Sequence, residues 1–148
     1  MRITIPFPDK IWSLTSLLFL VCLFSCHTSP EESAQDKARK LLTTGTWQVS
    51  SVTADDMDKT SAFSGFTLTF AANTYTAHEG SPVWASSGTW AFADENAASF
   101  TRDDDVLVTI HSLTSTHLTL SLISSYPVFQ AGGRAESTTG EFVFEFNK

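Results

Sequence analysis

Cysteine is almost missing from this sequence. Of 148 residues only Cys22 and Cys26 carry a thiol, and both lie near the N-terminus. No disulfide can form beyond residue 26, so the body of the chain must be held by its core. Charge is also sparse, at 17%, and cations are the scarcer sign, 9 against 16 acidic groups. That deficit removes the basic footprint that nucleic acid or an anionic membrane surface requires. Cleaving off residues 1–25 would take Arg2, Lys10 and Asp9 away and move the net charge from −7 to −8. After residue 44 no helical period is sustained. What is abundant is aromatic and hydroxylated: 12 Phe, 4 Trp and many Ser and Thr in a chain that is 42% hydrophobic. This composition suits one domain of strands with apolar inner and hydroxyl-bearing outer faces.

The N-terminus reads as a leader. Arg2 and Lys10 precede an apolar run over residues 11–24, broken only by Ser13, Thr15 and Ser16. The run is shorter than the ~20 residues of a membrane-spanning helix and has the length of a secretory h-region. It ends in Leu23-Phe24-Ser25-Cys26, which resembles the lipobox of bacterial lipoproteins. The resemblance implies cleavage before Cys26 and acylation (palmitate and diacylglycerol) of its sulfur and new amino group. Several acyl chains together make a stable anchor. The alternative is an ordinary secretory leader, which would strand Cys26 as a lone thiol. His27, rather than Asp, follows the cysteine, which favours the outer membrane, on its periplasmic or surface-exposed face. The expected organisation is a signal peptide over 1–25, a lipidated tether and short helix over 26–44, and a β-domain over 45–148.

The spacing predicts a helix opening at Ser29-Pro30-Glu31-Glu32, with Ser29 as cap, Pro30 in the first turn and Glu32 completing the capping box. Ala34, Ala38, Leu41 and Leu42 form its apolar stripe, and Gly45 ends it. Period-2 runs follow. Trp47 and Val49 open the first. Phe66, Leu68 and Phe70 form the second, Tyr75 and Ala77 the third, Trp90 and Phe92 the fourth, and Ala98 and Phe100 the fifth. Val106, Val108 and Ile110 give the sixth, Leu118, Leu120 and Leu122 the seventh, and Phe142, Phe144 and Phe146 the eighth. Eight such runs predict an all-β antiparallel meander that closes into a barrel, with a β-sandwich as the alternative.

Gly45-Thr46-Trp47 after a short helix is similar to the G-x-W of the first lipocalin strand. Gly65-Phe66-Thr67-Leu68-Thr69-Phe70, Asn73-Thr74-Tyr75, Ser87-Gly88-Thr89-Trp90-Ala91-Phe92 and Ile110-His111-Ser112-Leu113-Thr114 extend the likeness over residues 41–147. The chain thus resembles the lipocalin-like domains of bacterial envelope lipoproteins. The family's Arg on the last strand, which stacks on the base Trp, has no counterpart in Phe144-Glu145-Phe146-Asn147-Lys148, and its acidic motif is missing from the turn after Leu113. The resemblance implies a barrel plugged at the Trp47 end. Trp90, on a strand that starts at the opposite end, is expected nearer that opposite end.

A meander sends the connections at 54–64, 79–87, 102–105 and 124–140 to one end, and most are long. Long loops concentrate function. This mouth carries Asp55, Asp56, Asp58, Glu79, Asp103, Asp104 and Asp105, with Trp84, Tyr126, Phe129 and Arg134. The aspartates read as solvated turn residues, since their spacing matches no calcium loop. Trp84 and Phe129 read either as exposed loop aromatics of the kind that mark binding surfaces or as aromatics that cover the core. The inward residues are nearly all large, and Tyr75 is the one polar group among them, so any pocket should be shallow and near the mouth. Tyr75, Trp84, Tyr126, Phe129 and Arg134 are therefore the candidate ligand contacts, Cys26 the lipidation site, and Gly45, Trp47, Gly88 and Trp90 the structural motif. His27 lies in the tether and His78 alone; His111 and His117 can share one outer face but lack a third metal ligand. No metal or cofactor is expected. Nothing in the spacing supports catalysis, and a hydrolase ranks behind two binding functions. The first is a lipid-anchored module for a small hydrophobic ligand. The second is an envelope interaction protein with a filled barrel that meets a macromolecule through its loops. The sequence leaves the oligomeric state open.

Overall fold

Helix entry is set by Ser33. In the computed structural model, residues 31–129 and 135–148 are described, with the side chains of all but 126–129 and 135–138. Helix α1 (Ala34–Thr43) is capped by Ser33, whose Oγ accepts the Asp36 amide at 3.1 Å. The cap thus falls four residues after the expected Ser29, which with Pro30 lies outside the described residues. Ser33 lies closer to the apolar stripe, and its hydroxyl also donates to the Asp36 carboxylate at 2.7 Å. Of that stripe Ala38 and Leu42 are buried, Leu41 is half-buried and Ala34 is exposed. The helix stops before Gly45, whose φ of +86° reverses the chain into the first strand.

The strands are β1 (Thr46–Ala54), β2 (Met57–Asp58), β3 (Thr67–Phe70), β4 (Thr74–His78), β5 (Ser87–Phe92), β6 (Ser99–Arg102), β7 (Leu107–Leu113), β8 (His117–Phe129) and β9 (Ala135–Asn147). From β3 to β9 each pairs antiparallel with the next, and β1 pairs with both β3 and β9. That last pairing, from Gln48↔Asn147 to Ala54↔Phe142, closes an eight-stranded barrel. The β-sandwich alternative is thereby excluded. The short β2 is an extra strand on β1, reached through a two-residue turn in which Asp55 and Asp56 both have positive φ. The compact unit runs from Glu32 to Lys148, so α1 belongs with the barrel.

The interior is a solid aromatic core. Trp47, Phe66, Phe100, Phe144, Phe146, Leu68, Leu118 and Leu120 are fully buried, and their rings meet mostly edge to face. Phe63, Phe66, Phe144 and Phe146 form one run through the barrel axis, with centroids 5.3 to 6.1 Å apart. Val49, Phe92, Val106 and Ile110, expected fully inside, are only partly buried. Two bulges explain what alternation alone misses. The register shift between Val49 and Ser51 flips the parity of β1, so Val52 and Ala54 point inward after Trp47. A second shift between Ile110 and Ser112 bends β7 at His111.

Two expected loops are not loops. Residues 54–64 hold β2 and a 3-10 turn, η1 (Thr60–Phe63), whose Phe63 caps the core. Residues 124–140 continue β8 and β9 as a hairpin arm paired from Ser124↔Gly140 to Phe129↔Ala135. The ladder hydrogen bonds of the arm need no apolar face, and a Ser-, Thr- and Gly-rich segment gives no alternation from which to read it.

Candidate functional site

The two ends of the barrel are built differently. At the base, the Trp47 indole N–H donates to the Leu42 carbonyl at 3.0 Å, so helix and first strand are tied through a buried hydrogen bond. The Lys148 ammonium sits 3.9 Å from the centroid of the Trp47 ring and donates to the Leu41 carbonyl at 2.9 Å. A cation does cover the base Trp, although the strand carries no Arg. Burial holds the Lys148 ammonium below its ordinary pKa. Trp90 is also a base residue. Its indole donates to the Ala71 and Thr74 carbonyls, and the Arg39 guanidinium of α1 lies 5.0 Å over its ring. Trp90, expected nearer the mouth than Trp47, thus makes its polar contacts with the β3–β4 turn and the helix. Gln35 and Arg39 of α1 also bind the Asp94 and Ala72 carbonyls in the turns at this end.

At the mouth, the chain between β4 and β5 folds inward. Trp84 is 2% exposed, so of the two readings the core-covering one holds and that of an exposed loop aromatic fails. Its ring packs edge-on to Tyr75 and Phe144, at centroid distances of 5.6 and 6.1 Å, and tilts against Phe66. Gly80 makes this possible: a Cβ there would lie 2.7 Å from Phe66 and 2.8 Å from Trp84. Burying an indole removes far more apolar surface from water than leaving it in a turn.

Arg102, on the inner face of β6, was not among the sequence candidates, because it reads as the start of the Arg102-Asp103-Asp104-Asp105 turn. It is 5% exposed. Its Nε donates to Asp104 at 3.0 Å, its Nη2 pairs with the same carboxylate, and its Nη1 donates to the Val83 carbonyl at 3.0 Å. The guanidinium lies 4.7 Å over the Trp84 ring and 6.0 Å from that of Tyr75. The hydrogen bond from Arg102 holds the Asp104 carboxyl below its usual range. Burial raises the pKa of Tyr75 and keeps its hydroxyl protonated. Two of the other mouth aspartates serve the backbone: Asp55 accepts the Glu141 amide at 2.9 Å, and Asp58 accepts the Thr60 amide at 2.8 Å. Among the described residues no group of three or more acidic, His or Cys side chains is placed to hold a metal.

Beside the buried Trp84 an apolar groove of about 280 Å³ opens at the rim. It is lined by Ala54, Ala62, Phe63, Pro82, Val83 and Phe142, with Lys59 and Ser81 as its polar members. None of these was a sequence candidate; the inward alternation of Phe142 was the one available signal. Of the candidates, Tyr75 and Trp84 are brought together in the core, and neither lines the groove. The side chains of Tyr126 and Phe129, and all of Arg134, lie outside the described residues. His111 and His117 do not converge. His111 shares a 2.7 Å hydrogen bond with Ser121, whereas His117 bonds Asn147 and Thr119 at 3.1 Å. His78 is exposed, and His27 and Cys26 lie outside the described residues. The chain matches no protein-family model and no curated protein.

Proposed function

We propose that this chain is a lipid-anchored protein of the bacterial cell envelope with a lipocalin-like barrel, tethered to the outer membrane through Cys26, that takes a small amphipathic ligand in the groove at the barrel mouth. The observation that carries the reading is the pairing of a filled interior with an open apolar groove at the rim. The groove volume, about 280 Å³, lies at the lower end of the ~300–1,000 Å³ usual for ligand pockets. A ligand seated there meets Phe63, Val83 and Phe142 with its apolar part and Lys59 or Ser81 with its polar part. The base supports the lipocalin likeness: Trp47 of the Gly-Thr-Trp motif is buried, bonded to the helix and covered by a cation.

The test is mass spectrometry of small molecules that co-purify with the membrane-extracted protein, compared with a Val83→Asp variant whose new carboxylate spoils the groove. A defined amphiphile enriched on the parent and lost from the variant is the expected result. The same molecules on both, or none on the parent, would overturn the reading. The filled core and the β8–β9 arm favour the second reading, a protein that meets a macromolecule. Crosslinking in intact envelopes that traps a protein through the arm, with nothing in the groove, would decide for it.

A further inference from the structure

Among the described residues, two buried side-chain polar atoms lack a partner. Tyr75 Oη and Trp84 Nε1 are both fully buried, and neither makes a hydrogen bond. Orphans of this kind are rare in folded proteins and ask for an explanation. The two rings touch each other, and the same guanidinium, Arg102, lies over both. Arg102 has five N–H groups, of which Asp104 and Val83 engage three.

The chemistry of these groups restricts what can join them. An indole N–H only donates. The buried Tyr75 hydroxyl stays protonated and offers a proton. The spare N–H groups of Arg102 also donate. The Asp104 carboxylate and the Val83 carbonyl already accept from Arg102. Donors on three side chains of one contact cluster are best matched by an oxygen that carries only lone pairs. Charge narrows the choice further. Asp104 neutralises Arg102, and Asp103 adds a negative charge close by, since a Cβ at Gly88 would lie 2.6 Å from Asp103 Oδ1 and 2.8 Å from Tyr75 Oη. An anionic head is therefore repelled, and an uncharged carbonyl is not.

We infer that Tyr75 Oη and Trp84 Nε1 form the polar subsite for the groove ligand, and that this ligand carries an uncharged carbonyl oxygen, as in an amide, ester or ketone. The inference rests on the groove reading, since it names the chemistry of that ligand. Val83 connects the two parts: its side chain lines the groove, its carbonyl holds Arg102, and Trp84 is the next residue. Neither Tyr75 nor Trp84 lines the open groove, so seating a carbonyl at these donors displaces residues 81–84.

The experiment uses the full chain in lipid nanodiscs with ¹⁵N-labelled tryptophan, titrated with hexanamide, hexanoate and hexylamine. Trp84→Phe assigns the resonance, and Tyr75→Phe is the functional variant. Hexanamide should move the Trp84 indole N–H resonance saturably, and hexanoate should bind several-fold more weakly. Tyr75→Phe should weaken hexanamide about tenfold, the worth of one hydrogen bond, without lowering the Tm of the ligand-free protein, because no existing bond is lost. Hexanoate binding as tightly as hexanamide would overturn the uncharged carbonyl. Binding of a probe with the Trp84 resonance unmoved would overturn the subsite and leave the groove reading standing. A lower Tm for ligand-free Tyr75→Phe would show that the hydroxyl already has a solvent partner, which also overturns the subsite. No binding by any probe would overturn both readings.

Discussion

Arg102 and Leu42 show how single residues fix the two ends of the barrel. Arg102 joins the loop wall, through Val83, to the turn after β6, through Asp104. The folded-state pKa of Asp104 is depressed. The stability it contributes is therefore present above the ordinary carboxyl value of about 4 and is lost as pH falls through the lower folded value. Asp104→Asn should flatten part of the acid limb of Tm against pH between about 2 and 5; an acid limb identical to that of the parent would contradict the assignment. The effect is modest, because the carboxylate is partly solvated. Leu42 is fully buried under Trp47. Leu42→Ala should cost about 3 kcal/mol in urea unfolding, and a loss under about 1 kcal/mol would mean that the helix does not seal the base. The large core side chains were legible in the sequence, because apolar residues at alternate positions have one place to go. Trp84 and Arg102 were not. Both sit where the sequence reads as turn, and each is buried by contacts from elements distant in the chain.

At the level of elements, alternation located all eight barrel strands and missed their extent. It missed the parity change in β1 because a bulge adds a residue without any mark in composition. It missed the β8–β9 arm because the sequence over 124–140 shows no period-2 alternation of apolar residues. From Ser124↔Gly140 to Phe129↔Ala135 the two strands pair with each other, and neither β7 nor β1 continues alongside them. Replacing residues 126–138 by Asn-Gly should therefore leave the barrel intact. Asn-Gly fits a two-residue hairpin turn, and the Ser125–Thr139 contact would close it. The Tm should shift by less than about 5 °C, roughly the effect of 1 kcal/mol in a domain of this size. A collapse of the Tm would show that the arm packs back onto the barrel.

For the whole molecule, the proposed anchor at Cys26 and the groove at the rim are the two features that bear on function. Cys26→Ala should move the protein from the membrane to the soluble fraction on cell fractionation; unchanged membrane retention would refute lipidation at that residue. Among the described residues no helix is long and apolar enough to cross a membrane. The sequence by itself determined the all-β class, the eight barrel strands and the acidic charge, because each depends on local pattern or on composition. Tertiary structure decided that β1 and β9 close the sheet, that Lys148 covers Trp47, that Trp84 turns inward, and that Phe63, Val83 and Phe142 meet at the rim. Those outcomes depend on contacts between residues far apart in the chain, up to 101 positions for Lys148 and Trp47. No local period encodes such contacts. Burial, competing for the space inside one small barrel, selects them.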